Sequence, residues 1–394
     1  MSNIKFPILN VEVNTILSFT STFEIQHSTF NIFNMRSTLL LGTRKGLIAY
    51  RFQNGKWTME SCSFEGIPIS IAYADPRNGT WWACQDHGHW GVKLQRSKDR
   101  GKSWEEVAAP AYPEGEEVKD GMPATTRYLW SMAHGGRNYT SRLWIGTDPG
   151  GLFVSEDEGN SFQLVESLWK HPTRKEGWFG GGRDLPGIHS IVVDPRNEDH
   201  IHIGISCAGV FETVDGGKSW AIRNKGMNAD FLPDPTVETG FDPHIVVAAP
   251  SNPDYLWQQN HCGIYRSTDA GKNWIDISEP NGPARFGFAI AVAGDNPDQA
   301  WVAPADSDVN RTAIQSALVI CRTDDGGKTW KQMRNGLPQE GCFDIVYRHA
   351  LVNDSNAVVF GTTTGNLFFS PDRGENWQVI NNYLPMIYSV QFAD

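Results

Sequence analysis

The sequence predicts an all-β fold: a seven-bladed β-propeller of four-stranded antiparallel blades. Three observations carry this prediction. One turn motif recurs six times at a near-constant period, each period holds four short β segments, and the chain ends complement each other. The 394 residues include 39 Gly and 15 Trp, with few long amphipathic stretches, which disfavours a helical protein.

The motif reads Ser/Thr-x-Asp-x-Gly-x-x-aromatic. It occurs as SKDRGKSW from Ser97, SEDEGNSF from Ser155, TVDGGKSW from Thr213, STDAGKNW from Ser267, TDDGGKTW from Thr323 and SPDRGENW from Ser370. The starts lie 58, 58, 54, 56 and 47 residues apart. A degenerate seventh unit, GTRKGLIAYRFQNGKW, keeps the glycines and Trp57 but has no Asp. Such a motif suits a tight β-turn. The Asp carboxylate and the hydroxyl accept hydrogen bonds from turn N–H groups, and the Gly takes the positive φ that a side chain resists. The aromatic packs back over the hairpin, contributing about 2–3 kcal/mol if fully covered. Six equivalent copies cannot serve one active site, so these Asp residues read as structural.

Within a period, β segments follow one another as in 126–134, 142–148, 151–157 and 162–167. Asp-Pro-Arg-Asn at 75–78 and 194–197, and Asn-Pro-Asp at 252–254 and 296–298, supply turns between first and second strands. Four antiparallel strands per unit of roughly 50 residues is the propeller pattern. The chain ends in MIYSVQFA (386–393), a first strand without partners, whereas its repeats begin at Thr38 with a second strand. The C-terminal segment is therefore expected to complete the first blade, closing the ring and removing open sheet edges. Residues 35–394 read as a single propeller. Residues 1–34 match no repeat and read as an N-terminal extension outside the fold.

The formal charge is 34 − 45 = −11. That balance excludes general binding to nucleic acid or to an anionic membrane, which needs surplus Lys and Arg. No apolar run approaches the 18 residues or so of a membrane span. Residues 1–34 lack the continuous apolar core of a secretory signal, so a cytoplasmic location is expected, with secretion left open. The six cysteines show no CxxC spacing and fall in separate repeats, which points away from zinc clusters and from a disulfide framework.

In such a blade the motif corners, between third and fourth strands, occupy one face of the disc. Loops between second and third strands, and entries into first strands, converge on the other face around the axis. Those segments carry Asp86, Asp306, Glu238 and Glu340, carboxylates able to form an acid/base pair. They also carry Arg44, Arg285 and Arg311 for an anionic substrate, and Trp90 and Tyr388 for ring contacts. His87, His189, His244 and His261 suit a divalent metal. Asp148, Arg183, Cys207, Asp242 and Asp308 fall in the same segments. Insertions at 110–126, 170–187 and 226–242, rich in Gly, Pro and aromatics, are expected to wall the mouth. Three functions follow: a glycoside-hydrolase-like site for a glycan or polar small molecule, a metal-dependent enzyme using channel histidines, or a non-catalytic platform for a protein partner. Structural ion pairs and hydrogen-bonded filler histidines are the plainer explanation of the same residues.

The motifs resemble the Asp-box, or BNR, repeats of sialidases, xyloglucan-active hydrolases, sortilin-type receptors and photosystem II assembly factors. Through GTRKGL, DHGHWG, GTDPGGLF, PDYLWQQNHCGIYRSTDAGKNW, RTDDGGKTW and FGTTTGNLF, residues 35–394 are similar to bacterial BNR-repeat proteins commonly labelled glycosyl hydrolase or exo-α-sialidase. The resemblance implies hydrolase-like binding of a glycan. Against sialidases, Arg44, Arg285 and Arg311 resemble a three-arginine set and Tyr388 with Glu340 a Tyr–Glu pair in residue type, without a residue-by-residue transfer of roles. Sialidases have six blades and an Arg-Ile-Pro motif; this sequence counts seven and has no Arg-Ile-Pro.

Overall fold

The computed structural model describes residues 35–234 and 237–393. The expected extension at 1–34 lies outside the described residues. Seven four-stranded antiparallel sheets follow one another around a ring. The first blade orders Lys56–Ser63, Gly46–Gln53, Thr38–Thr43 and Ile387–Phe392, so the last strand of the chain is its innermost strand. The inner strands of blades two to seven are Ile69–Ala74, Tyr128–His134, Ile188–Asp194, Pro243–Ala249, Gly287–Val292 and Leu351–Asp354, and each is followed outward by its own second, third and fourth strands.

Both faces of a blade are covered by neighbouring blades, so strands near the axis are apolar on both sides. In Thr38–Thr43, Leu39 and Leu41 pack with Phe360 and Phe369 of the seventh blade, while Leu40 packs with Ala72 and Ala83 of the second. The alternation of a single strand thus feeds two interfaces. Serines on inner strands tie the blades together: Ser70 Oγ donates to Leu129 O (2.7 Å), and Ser131 Oγ donates to Ile188 O (2.8 Å). Ser190 Oγ accepts from Val246 N (2.9 Å). Closure uses the same device. Ser389 Oγ accepts from Ala72 N, and the Gln391 amide both accepts from Ala74 N (2.6 Å) and donates to Ala74 O (3.1 Å).

The six motif corners share one geometry. In the third blade Asp157 Oδ1 accepts from Ser155 Oγ (2.7 Å) and from Ser161 N (2.9 Å), Oδ2 accepts from Ser161 Oγ (2.6 Å), and Ser155 Oγ accepts from Gly159 N (2.8 Å). The glycine needs positive φ, +81° at Gly159, and the residue before it is left-handed as well, +59° at Glu158. That preceding residue donates its N–H to the hairpin joining the first two strands, as in Glu158 N to Ser141 O, Ala270 N to Asp254 O and Arg373 N to Asn356 O. The corners therefore lie on the same face as those hairpins. Trp81 and Trp82 are buried, with Trp82 against Gly159 of the next blade, which makes them packing residues. All six cysteines are free thiols, and among the described residues no helix is long and apolar enough to cross a membrane.

Candidate functional site

A cavity of about 550 Å3 opens at the axis on the face opposite the motif corners. Every blade contributes to it. Asp86 ends the second strand of blade two; Tyr128 and Trp130 begin blade three; Cys207 follows the second strand of blade four. Blade five supplies Asp242, His244 and His261, blade six Phe286, Phe288, Asp308 and Arg311, blade seven Tyr347, Arg348 and His349, and the closing strand Tyr388. Two insertions reach over the mouth with Phe179, Gly181, Gly182 and Arg183, and with Phe231. The 110–126 insertion does not line it: Tyr112 and Val118 pack under Trp169 and Leu185, bracing the second insertion from behind.

Much of the wall is aromatic. Tyr347 and Tyr388 are parallel, centroids 6.4 Å apart, and His244 stacks on Phe288 at 4.7 Å. Arg183 lies 4.3 Å over the Tyr128 ring and pairs with Asp148. Burial pushes the Asp148 carboxyl up, and the Arg183 contact only partly reverses this. Arg348 lies over Trp130 (5.2 Å) and Phe288 (5.5 Å), and its Nε has no hydrogen-bond partner. Arg348 and His349 also line a second, largely apolar cavity at the opposite mouth, so they form the septum of the channel. Burial, reinforced by the Arg348 charge, pushes His349 down to about 4, leaving it neutral at pH 7.

One corner of the cavity gathers Asp242, His244 and His261. Asp242 Oδ1 accepts from Ser206 Oγ and from Cys207 N, both at 3.1 Å. Asp242 Oδ2 lies 3.5 Å from His244 Nε2 and 3.8 Å from His261 Nδ1, and His261 Nε2 lies 3.6 Å from Asp308 Oδ2. Burial opposes the Asp242 charge, but the His244 contact, the Arg348 charge and the Cys207 N–H outweigh it and hold the carboxyl below its usual range.

Of the residues expected on this face, Asp86, Arg311, Tyr388, His244 and His261 line the cavity. So do Arg183, Cys207, Asp242 and Asp308 from the same segments, whereas the remaining candidates lie elsewhere, which corrects the expectation that all of them converge. Glu238, Glu340, Arg44, Arg285 and Asp306 are exposed on loops outside it; Asp306 instead accepts from Asn310 Nδ2 (2.9 Å). Trp90 is 69% exposed, on a short helical turn that carries the loop outward, and it touches His89. His87 precedes that turn and does not line the cavity. His189 is fully buried below Trp130, bonded through Nδ1 to Ser190 Oγ, and it lines the opposite mouth. Sequence reasoning missed Tyr128, Trp130, Phe288, Tyr347, Arg348 and His349. A signal existed: His189, His244 and His349 all stand at or just before the start of an inner strand, in IHSIVVD, PHIVVAA and RHALVND.

Seven closed blades, six with the Asp-box corner, form an Asp-box β-propeller around a polar, aromatic-walled axial cavity. Known proteins similar to this chain share the repeat and the fold. The BNR-Asp box repeat model matches residues 94–107. The chain is 27% identical over 222 residues to an oligoxyloglucan-reducing end-specific xyloglucanase of Emericella nidulans, covering 49% of this chain and 26% of the relative. It is 28% identical over 263 residues to xyloglucanase Xgh74A of Acetivibrio thermocellus, covering 61% of this chain and 28% of the relative. The chain thus spans little more than a quarter of the length of these relatives. An ancestral GH74 enzyme superposes with a TM-score of 0.54 at 19% identity, covering 90% of this chain and 39% of that one, a likeness of fold.

Proposed function

We propose that the axial cavity binds a short saccharide bearing an anionic group, and that the chain acts on it as a glycoside hydrolase. The observation that carries this reading is the meeting, in one cavity, of aromatic rings with carboxylates and arginines. The rings of Tyr128, Trp130, Tyr347 and Tyr388 offer flat apolar surface to the C–H faces of a sugar. Asp86 and Asp308 offer acceptors to its hydroxyls, and Arg311 and Arg348 offer paired donors to a carboxylate. The similarity to xyloglucanases supports a saccharide as the ligand class. The Asp86 carboxylate accepts no hydrogen bond from another described residue and the Asp308 carboxylate meets only His261, so both can serve the ligand. Hydrolysis would use them as the acid that protonates the leaving oxygen and the base or nucleophile across the bond.

The test is calorimetric titration with xyloglucan, uronate-bearing and sialate-bearing oligosaccharides, alongside turnover of matching aryl glycosides. At least one anionic saccharide should bind, about tenfold more weakly to Tyr388→Ala, and turnover should vanish in Asp86→Asn or Asp308→Asn. Absence of binding across the panel to folded protein would remove the proposal.

A further inference from the structure

The geometry points to a divalent transition-metal site formed by His244 Nε2, His261 Nδ1 and Asp242 Oδ2 in the wall of the axial cavity. The argument begins with hydrogen positions. His244 Nδ1 lies 2.6 Å from the carbonyl oxygen of Gly287. A carbonyl only accepts, so Nδ1 carries the proton, and in the neutral ring Nε2 is a bare lone pair. That lone pair faces Asp242 Oδ2 at 3.5 Å, while the other carboxylate oxygen is held by Ser206 and Cys207. His261 stands between two carboxylates. Its Nε2 lies 3.6 Å from Asp308 Oδ2 and its Nδ1 3.8 Å from Asp242 Oδ2, so with the proton on Nε2 it presents a bare Nδ1 to Asp242. Three potential ligand atoms thus lie within 4.8 Å of one another.

The bare His244 Nε2 and the Asp242 carboxylate oxygen repel each other unless a cation lies between them, and a metal ion can fill that place. The metal fits the spacing. Two ligand atoms each about 2.1 Å from an ion, at a tetrahedral angle, stand about 3.4 Å apart, close to the 3.5 and 3.8 Å found here. The outer partners also fit, since metal-bound imidazoles commonly donate their second N–H to a carbonyl or a carboxylate. Two imidazoles and a carboxylate suit zinc, cobalt, iron or manganese, and the remaining positions open to the cavity. Arg348 opposes the ion; Asp242 and Asp308 supply the two negative charges that offset it.

A second cluster, His200, His202 and Glu212, lacks this arrangement. There Glu212 pairs with His200 (2.8 Å) and with Arg223, and His202 Nε2 points at Ala270 O (3.0 Å), so its atoms are already matched as donor and acceptor. It serves as the internal control.

The site belongs to the same cavity as the saccharide reading but does not depend on it, because metal binding is measured with no saccharide present. The full chain, stripped with EDTA, is titrated with Zn(II) by calorimetry and with Co(II) by visible absorption. One equivalent should bind, with the Co(II) bands of a four- or five-coordinate nitrogen and oxygen site. His261→Ala, a partly exposed residue, should weaken binding by a hundredfold or more. Asp242→Asn, which keeps the acceptor for Ser206 and Cys207, should do the same, and His200→Ala should change nothing. Lack of stoichiometric binding by the folded wild type, binding that survives His261→Ala, or binding lost in His200→Ala would each overturn the assignment.

Discussion

His244 Nδ1 donates to the Gly287 carbonyl across the boundary between the fifth and sixth blades, at 2.6 Å. The carbonyl of this inner strand thus takes its donor from the preceding blade, as the Ile188 carbonyl does from Ser131, and in return the imidazole's tautomer is fixed by backbone rather than by a mobile side chain. The blade interface and the chemistry of the cavity thus share one atom pair.

His244→Phe separates the two roles. It preserves a ring for stacking on Phe288 and removes the donor from a buried carbonyl. The expected cost is about 1–3 kcal/mol of stability, read as a lower urea midpoint with an unchanged slope. An unaltered midpoint would show that this bond contributes nothing to the fold.

The Asp-box corners make stability acid-sensitive. Asp157 is drawn down to about 2 by hydrogen bonds led by that of Ser161, and Asp215 to about 2 by those of Ser219 and Thr213. A carboxylate depressed on folding contributes stability above its unfolded value, near 4, and loses it as pH falls toward about 2. Asp215→Ala should cost about 1–2 kcal/mol at pH 7 and much less at pH 2, leaving ligand binding intact. Thermal melts of both proteins across that range decide it; an equal gap at both ends would contradict the corner as described.

The fold was readable in the sequence because its determinants are local and repeated. Ser155, Asp157, Gly159 and Ser161 specify a corner within seven residues, and six copies set the period. Closure was readable because Ile387–Phe392 is a strand without neighbours in its own unit. The cavity was read less fully. Asp86, His244 and His261 sit where loop position predicts, but Glu238 and Glu340 share that position and turn to solvent. Loop position fixes which face a residue occupies; the axis is reached only where an inner strand carries the residue inward. Tyr347, Arg348 and His349 precede the short strand Leu351–Asp354 and carry no turn motif, so their convergence comes from ring closure, which is a long-range event.

Arg183 and Asp148 form the ion pair beneath the aromatic wall, with Asp148 almost fully buried. Arg183→Ala should leave that carboxylate without its cation and cost about 2–4 kcal/mol at neutral pH, below the full range for a buried pair because Arg183 is partly exposed. Burial already raises Asp148, so the folded state of the variant holds its proton more tightly than the unfolded chain. Stability of the variant is then greatest below pH 4 or so and declines as pH rises through the raised folded value. Denaturant melts at pH 4.5 and pH 8 should therefore show the larger deficit at pH 8. Asp148→Asn placed on Arg183→Ala should abolish the pH dependence; a deficit with no such dependence would assign the loss to packing against Tyr128.

Arg348 offers the sharpest contrast between fold and function. Its guanidinium donates to no other described residue, although it lies between the Trp130 and Phe288 rings in the septum of the channel. A half-buried charge whose Nε has no hydrogen-bond partner is costly to the fold, and replacing it by an apolar chain of similar length relieves that cost. Loss of its attraction for Asp242 works in the opposite direction. Arg348→Met should therefore shift stability by no more than about 1 kcal/mol either way, while affinity for an anionic saccharide falls at least about tenfold. Arg348→Lys retains the charge but not the planar pair of donors, so it should recover only part of that affinity. A large loss of stability in Arg348→Met would instead make this residue a strut for Asp242, and the anionic group of the ligand would have to be met by Arg311.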